Sequence, residues 1–402
     1  MSDKIRYIST SILKDLLTDH KMAFITGPRQ VGKTTLAHQL LTTKKSEEFY
    51  FNFDDEEFKR IWTKNPKDLI KNLNFQKNDL IIFDEIHKDS KWKSKLKGLY
   101  DLYKKDLNFL ITGSAHLNFY RKSGDSLQGR YYPYRLHPFS VGEISNIKPP
   151  PEKSWDEHLQ QPQFKLSDLD KLSGFPDPLL SGNQNKAKRL LRLYRERLIK
   201  EDLRDLSNVR DINLIQTMSL LLIDKAGGQF SYESIRQDLN SSFDSVNRWL
   251  SLLEATYFTF LIRPYSKNIK NSLKKEPKCY LYDWTPIENN GRRFENIMAM
   301  HLLKNVHAWT DFAFGEFELY YIRDKQKREV DFLITKDSSP YLLLEVKSRS
   351  TTLSPSLIHF NEVLKPKFCI QLVDKLSDER KPSLLHPNIR IMSSEKFLGS
   401  IN

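Results

Sequence analysis

Residues 22–41 read MAFITGPRQVGKTTLAHQLL. An apolar run, Met22 to Ile25, leads into Gly27. After four intervening residues Gly32, Lys33 and Thr34 open a stretch with Leu36, Ala37, Leu40 and Leu41 at helical spacing. That is strand, glycine-bounded loop and helix, with the P-loop spacing G-x-x-x-x-G-K-[ST]. A triphosphate needs backbone N–H groups converging on it, and glycine lets the main chain turn that tightly and approach that closely. The helix beginning near Lys33 adds the partial positive charge of its N-terminus. The segment Gly27, Pro28, Arg29, Gln30, Val31, Gly32, Lys33, Thr34 and Thr35 is therefore expected to cradle ATP. Lys33 should reach the β- and γ-phosphates, and the Thr34 hydroxyl should take one position on Mg2+.

The 402 residues around this stretch exceed one ordinary core and imply two to four domains. A hydrophobic share of 39% with 12% aromatics suffices to bury those cores, which excludes general disorder. The net charge of +13 favours a polyanionic partner such as DNA; a solvated basic surface is the plainer alternative. Cys279 and Cys369 are too few and too far apart for a disulfide framework or a cysteine metal site. No apolar stretch approaches a membrane span, and the N-terminal MSDKIRYIST lacks a signal-peptide core. A cytoplasmic protein with no membrane partner is expected.

Four further stretches extend the core. EEFYFNFDD (47–55) is a short aromatic strand ending in acids, and DLIIFDEIHK (79–88) is a buried parallel strand tipped by Asp84 and Glu85. Open α/β sheets place ligands at that end of their strands. Asp84 is expected to hold Mg2+, and Glu85 to orient or deprotonate the attacking water. NFLITGS (108–114) ends in Gly113 and Ser114; Ser114 reads either as a γ-phosphate sensor or as an ordinary strand-to-loop turn. SLQGRYYPYRLHPFS (126–140) supplies a fifth strand. Its Arg130 reads either as a cation that stabilises a transferring phosphoryl group or as a surface arginine before an edge strand.

ITGPRQVGKTT, IIFDEIHK, LITGSAHL and SLQGRYYPYRLHPFS together resemble a large prokaryotic family of AAA+-type ATPases whose members carry an uncharacterised domain after the ATPase core. The likeness runs loosely over nearly the whole chain. It implies an AAA+-like five-stranded core over 1–150 and a role for Arg130 as arginine finger or sensor. Supplied in trans, such a finger requires a homo-oligomer.

PPPEKSWDEHLQQPQ (149–163) reads as a linker or exposed loop. KAKRLLRLYRERLIKEDLRDL from Lys186 onward is helical and charged, and residues 151–210, with Gly174-Phe175-Pro176 as a further family-like element, are assigned to a helical lid over the nucleotide. Its charge reads as a solvated face laced with i,i+4 ion pairs, with contact to nucleic acid as the alternative. In 211–285 helix, Gly-Gly break, helix, turn, helix and apolar strand follow the order of a winged helix-turn-helix. Its third helix should expose Ser245, Asn247, Arg248 and Ser251 beside buried Val246, Leu250 and Leu253. The following IRPYSKNIKNSLKKEPK carries Arg263, Lys267, Lys270, Lys274, Lys275 and Lys278 against one acid, a composition suited to sequence-independent phosphate contacts on DNA. Winged helices also serve as protein-interaction modules, and that alternative stays open.

Residues 286–402 bring Glu295 in the helical GRRFENIMAMHLLKN, Asp331 in the strand EVDFLI, and Glu345 with Lys347 on one face of the strand YLLLEVKS. Carboxylates amid apolar strands cost free energy unless paired or metal-bound. The pattern is similar to the PD-(D/E)XK nuclease fold, with Val330 in place of the usual proline before the aspartate. Glu295, Asp331 and Glu345 are accordingly expected to hold Mg2+ with Lys347 beside the attacking water; a structural ion-pair cluster is the alternative. Three functions fit: an ATP-driven DNA-processing enzyme, a DNA-remodelling ATPase that does not cut, and a nucleotide switch for protein partners. The expected fold class is α/β: a parallel P-loop core, helical lid, winged helix and nuclease-like α/β domain.

Overall fold

The computed structural model describes residues 4–41, 46–113, 127–147, 156, 159–203, 211–266, 276–374, 376 and 386–401. Ser114, Lys267, Lys270, Lys274, Lys275 and most of the 149–163 stretch lie outside them. The chain divides into two compact units, Met1–His137 and Pro138–Asn402.

The first unit is built on five parallel strands, β1 (Met22–Thr26), β2 (Tyr50–Asn52), β3 (Asp79–Asp84), β4 (Leu107–Gly113) and β5 (Tyr131–Arg135), in the order β2-β3-β4-β1-β5. Each lies where its apolar run placed it. Parallel neighbours require crossovers, which the intervening helices supply. The central strands read as unbroken apolar runs because both of their faces are covered. On one face Met22, Phe24, Phe83, Phe109 and Ile111 pack with Trp62 of the Glu56–Lys64 helix and with Trp92 and Leu96 of the Trp92–Tyr103 helix. Trp62 and Phe83 are fully buried; a Phe buried in this way contributes roughly 1.5–3 kcal/mol. The Ser9–Asp19 helix packs against β1 and β4, and the Lys33–Leu40 helix packs against β4. The register pairs Thr26 with Gly113 and Asp84 with Thr112, so the C-terminal ends of β1, β4 and β3 stand side by side. A ligand site belongs at that edge.

The second unit carries a mixed seven-stranded sheet in the order β12-β11-β10-β9-β8-β6-β7. Its strands are β6 (Thr259–Pro264), β7 (Lys278–Leu281), β8 (Phe317–Arg323), β9 (Glu329–Lys336), β10 (Ser339–Lys347), β11 (Phe368–Val373) and β12 (Ile389–Ser393). The 22-residue helix Asn290–Asp311 connects β7 to β8 and buries Phe294, Ile297, Leu302 and Val306. The Pro355–Leu364 helix carries the chain from β10 to the parallel β11 and packs Leu357 and Phe360 on Val330, Leu333 and Leu343.

Three helices, Ile212–Asp224, Tyr232–Asp238 and Phe243–Ala255, come in the expected order. Ser231 and Ser242 cap the second and third, each accepting a backbone N–H three residues on. The hairpin after them differs from a free wing. β6 pairs antiparallel with β7 and, on its other edge, parallel with β8 through Arg263↔Tyr320 and Pro264↔Tyr321. A lone two-stranded hairpin is marginal in water, and here β8 satisfies the second edge of β6. The expected boundary at 285/286 therefore falls within one sheet.

The Gln184–Arg197 helix, read as part of a lid, makes its polar contacts inside the second unit: Arg195 pairs with Asp283. Nearby, Trp284 Nε1 donates to Leu169 O at 3.3 Å and Arg293 Nε to Asp170 Oδ1 at 2.6 Å. Arg192 and Glu196, 3.8 Å apart, form the anticipated i,i+4 pair on its exposed side. Among the described residues no helix is long and apolar enough to cross a membrane.

Candidate functional site

The loop between β1 and the Lys33–Leu40 helix has the backbone its glycines were read to require. A Cβ on Gly27 would collide with the carbonyl oxygen of Leu136, so no other residue fits there without moving backbone. Gly32, the last residue before the helix, has φ 95°. Gln30 also sits at positive φ, 59°, the left-handed backbone from which anion-binding loops are built. Lys33 is buried, and its ammonium donates to Gly27 O at 3.0 Å and Pro28 O at 2.7 Å. Thr34 Oγ1 donates to Asp84 Oδ2 at 2.9 Å, which brings the two expected Mg2+ ligands together. Thr26 Oγ1, at the tip of β1, has no hydrogen-bond partner among the described residues. Hydroxyl, carboxylate, ammonium and glycine cradle form the donor set that Mg2+ and a triphosphate require, so the residues present fit both.

Asp84 is more tightly held than the sequence reading anticipated. Besides Thr34, the Tyr50 hydroxyl of β2 donates to Oδ2 at 2.6 Å and the Thr112 hydroxyl of β4 donates to Oδ1. Charge-assisted bonds from three elements fix this buried carboxylate. Glu85 follows at φ 57°, a left-handed turn that separates its direction from that of Asp84. Burial raises its proton affinity, opposed by the nearby Lys33 ammonium. His87 Nε2 lies 3.5 Å and Lys88 Nζ 4.0 Å from Glu85 Oε2.

Two supports were not read from the sequence. Arg6, buried, donates from Nη1 to Val31 O at 2.7 Å and from Nη2 to His137 O at 2.5 Å. It ties the middle of the P-loop to the segment following β5. Tyr7 OH donates to Arg135 O beside it, and His137 N donates to Tyr7 OH at 3.3 Å. Nothing in MSDKIRYIST marks these residues except a lone arginine next to a tyrosine.

Arg130 stands at the other end of the sheet. Its carbonyl accepts from Met22 N, and register runs from Met22↔Tyr131 to Thr26↔Arg135, so it lies a full strand length, roughly 16 Å at 3.3 Å per residue, from the P-loop. Its guanidinium pairs with Asp101 at 3.1 and 3.4 Å. Within one chain it does not reach the phosphate site, which removes the in-cis sensor reading. Arg135 occupies the P-loop end of β5 instead.

In the second unit the Phe243–Ala255 helix buries Val246, Trp249, Leu250, Leu252 and Leu253 and exposes Asn247, Arg248 and Ser251, with Ser245 half-buried. Arg248 lies 4.0 Å from Asp211. Lys278, read as one of the basic residues facing phosphates, is instead buried inside the C-terminal acidic cluster. Its Nζ lies 3.0 Å from Glu295 Oε1, 2.8 Å from Glu329 Oε1 and 3.6 Å from Asp331 Oδ1. Tyr280 OH also donates to Glu295 Oε1 at 2.7 Å, and Val346 N to Asp331 Oδ2 at 2.9 Å. Glu345 pairs instead with Lys347, at 2.7 Å.

The expected metal set of Glu295, Asp331 and Glu345 is thus not assembled: among the described residues no group of three such side chains is placed to hold a metal ion. The 2.8–3.6 Å distances place the Lys278 ammonium in ion-pair contact with the carboxylates of Glu295, Glu329 and Asp331. A lysine from β7 supplies the positive charge that the sequence reading had given to a metal. The resemblance to a metal nuclease does not extend to this geometry.

Residues 19–145 match a family model described as an AAA domain, and 166–286 and 290–389 match two models each described as a domain of unknown function. An uncharacterized protein of Methanocaldococcus jannaschii is 26% identical over 79% of this chain and 73% of its own length. One of Mycobacterium tuberculosis is 23% identical over 82% of this chain and 71% of its own. Among solved structures, a DNA polymerase III gamma subunit-related protein from Thermotoga maritima aligns with TM-score 0.27 at 10% identity, covering 62% of this chain and 97% of that one. C. elegans PCH-2 aligns with TM-score 0.22 at 12% identity, covering 60% and 64%. The match over 19–145 agrees with the strand–loop–helix and the carboxylate-tipped β3, and this part of the chain is similar to an AAA domain.

Proposed function

We propose that the protein is a Mg2+-dependent ATPase whose nucleotide state controls engagement of DNA by its second unit. The contact of Thr34 with Asp84 beside Glu85 carries the ATPase half of this reading. Bound Mg2+ would neutralise charge on the phosphates as the terminal phosphoryl group departs. Thr34 and Asp84 would hold it; Tyr50 and Thr112 keep the Asp84 carboxylate in place. Lys33 exchanges the carbonyls of Gly27 and Pro28 for phosphate oxygens. Glu85 orients water and takes its proton, and its raised proton affinity suits a general base. Arg6 positions the loop through Val31. Arg130, remote from its own chain's site, acts on a neighbouring subunit of a homo-oligomer.

The DNA half is supported by the +13 charge, by the exposed Asn247, Arg248 and Ser251, and by the lysine-rich 267–275 stretch. No cleavage step is assigned to Asp331, Glu345 or Lys347. A second reading, a nucleotide switch acting on a protein partner, is favoured by one observation: the hairpin after the third helix is an edge of a large sheet rather than a free wing. The deciding experiment incubates the purified protein with duplex, forked and four-way DNA, with and without ATP and Mg2+, and reads hydrolysis, binding and cleavage together. Hydrolysis with salt-dependent DNA binding is expected. Hydrolysis without DNA binding at low salt would favour the protein-partner switch.

A further inference from the structure

The carboxylates of Glu295, on the Asn290–Asp311 helix, and of Glu329 and Asp331, on β9, converge on one nitrogen, Lys278 Nζ. We propose that Lys278 is the resident cation of this cluster: its ammonium fills the position in which these acids would otherwise hold a divalent metal, and the nuclease-like sheet therefore works without metal-dependent phosphodiester cleavage. This inference concerns the second unit alone and does not depend on the ATPase reading.

Three observations carry it. First, the lysine is built in. Its side chain is 4% exposed, and its backbone pairs with Ile262 of β6 on one side and bridges to Gln229 on the other. A residue held from both flanks of its strand is not a mobile tail resting on acids. Second, charge leaves no room for both cations. Glu295, Glu329, Asp331 and Glu345 face Lys278, Arg323 and Lys347, one positive charge short of balance when all are ionised. Adding a divalent ion to this set would turn the deficit into an excess of positive charge beside the buried Lys278, whereas exchanging Lys278 for it would restore neutrality. Third, the acids keep unused capacity. Glu345 is 5% exposed, and its Oε2 has no hydrogen-bond partner among the described residues. A buried carboxylate oxygen is costly to leave unpaired, and a metal is one group that would engage it once the ammonium is gone.

The test is Mn2+ uptake by nucleotide-free, full-length protein, read by the loss of the free Mn2+ EPR signal and by calorimetry. Wild type should take up no Mn2+ at the C-terminal cluster. Lys278→Met should bind one Mn2+ per chain beyond any that wild type takes up, and Asp331→Asn added to it should abolish that uptake. If Lys278→Met does not fold by itself, recovery of its near-UV circular dichroism on refolding with MnCl2, but not without, supports the proposal equally. Uptake by wild type that Asp331→Asn removes would overturn it. So would a folded Lys278→Met that takes up no Mn2+, or an unfolded one that Mn2+ fails to rescue.

Discussion

Thr34 Oγ1 donates to Asp84 Oδ2 across 2.9 Å, joining the start of the P-loop helix to the tip of β3 although 50 positions separate the two in sequence. A hydroxyl and a carboxylate thus stand together at the end of parallel strands, the pair of groups that Mg2+ beside a triphosphate would require.

Lys33→Ala should abolish nucleotide binding, because it removes the ammonium held at the loop. Glu85→Gln should keep binding and lower turnover by about 10²–10⁴, since the amide cannot take a proton from water. Binding of a fluorescent ATP analogue alongside phosphate release separates the two. Wild-type turnover in Glu85→Gln would remove Glu85 from the mechanism.

Arg130→Ala should slow hydrolysis by roughly 10³–10⁵ while leaving ATP binding intact, as a finger acting across a subunit boundary does. Mixing Arg130→Ala with Lys33→Ala subunits should restore part of the activity, since each supplies what the other lacks. Full turnover by a strictly monomeric sample, shown by light scattering, would sink the trans assignment.

Lys267, Lys270, Lys274 and Lys275, changed together to alanine, should weaken binding to all DNA sequences about equally. The slope of log affinity against log salt should flatten by about 0.9 per lost phosphate contact. An unchanged slope would mean that this stretch serves a protein partner.

Burial, and then the Asp331 carboxylate, push Glu345 up to about 7 from an ordinary 4.5. The folded chain then binds more protons than the unfolded chain between those two values, so this group makes stability fall as pH rises through the window and level off above it. His301 acts in the opposite sense, because burial holds it neutral and takes it down to about 4, so its contribution is lost as pH falls below about 6.5. The difference between wild type and Glu345→Gln isolates the first effect. Urea midpoints should converge near pH 5 and favour Glu345→Gln near pH 8. Parallel profiles would show that Glu345 titrates normally.

The P-loop and the acids ending β3 were legible because their chemistry depends on neighbours in sequence. Glycine spacing fixes a loop, and an apolar run ending in Asp-Glu fixes a strand tip. All five strands of the first sheet followed from such runs. Arg6 was not legible, since its partners Val31 and His137 lie 25 and 131 positions away. Lys278 was misread for a related reason. Counted within IRPYSKNIKNSLKKEPK it is one more basic residue, and only the pairing of β6 with β8 carries its strand to the acids of β9. Arg130 shows the same limit, because a residue just before a strand carries no mark of which end of the sheet it will occupy.

The parallel contact of β6 with β8 also bears on how the second unit can be dissected. Cutting the chain after residue 285, where the sequence alone would place a boundary, strips β8 from β6 and leaves a row of backbone donors and acceptors open to any passing strand. The three-helix segment and the seven-stranded sheet belong to the one compact unit Pro138–Asn402. A fragment that keeps both is therefore expected to stay soluble where one ending at 285 self-associates through the bared edge of β6.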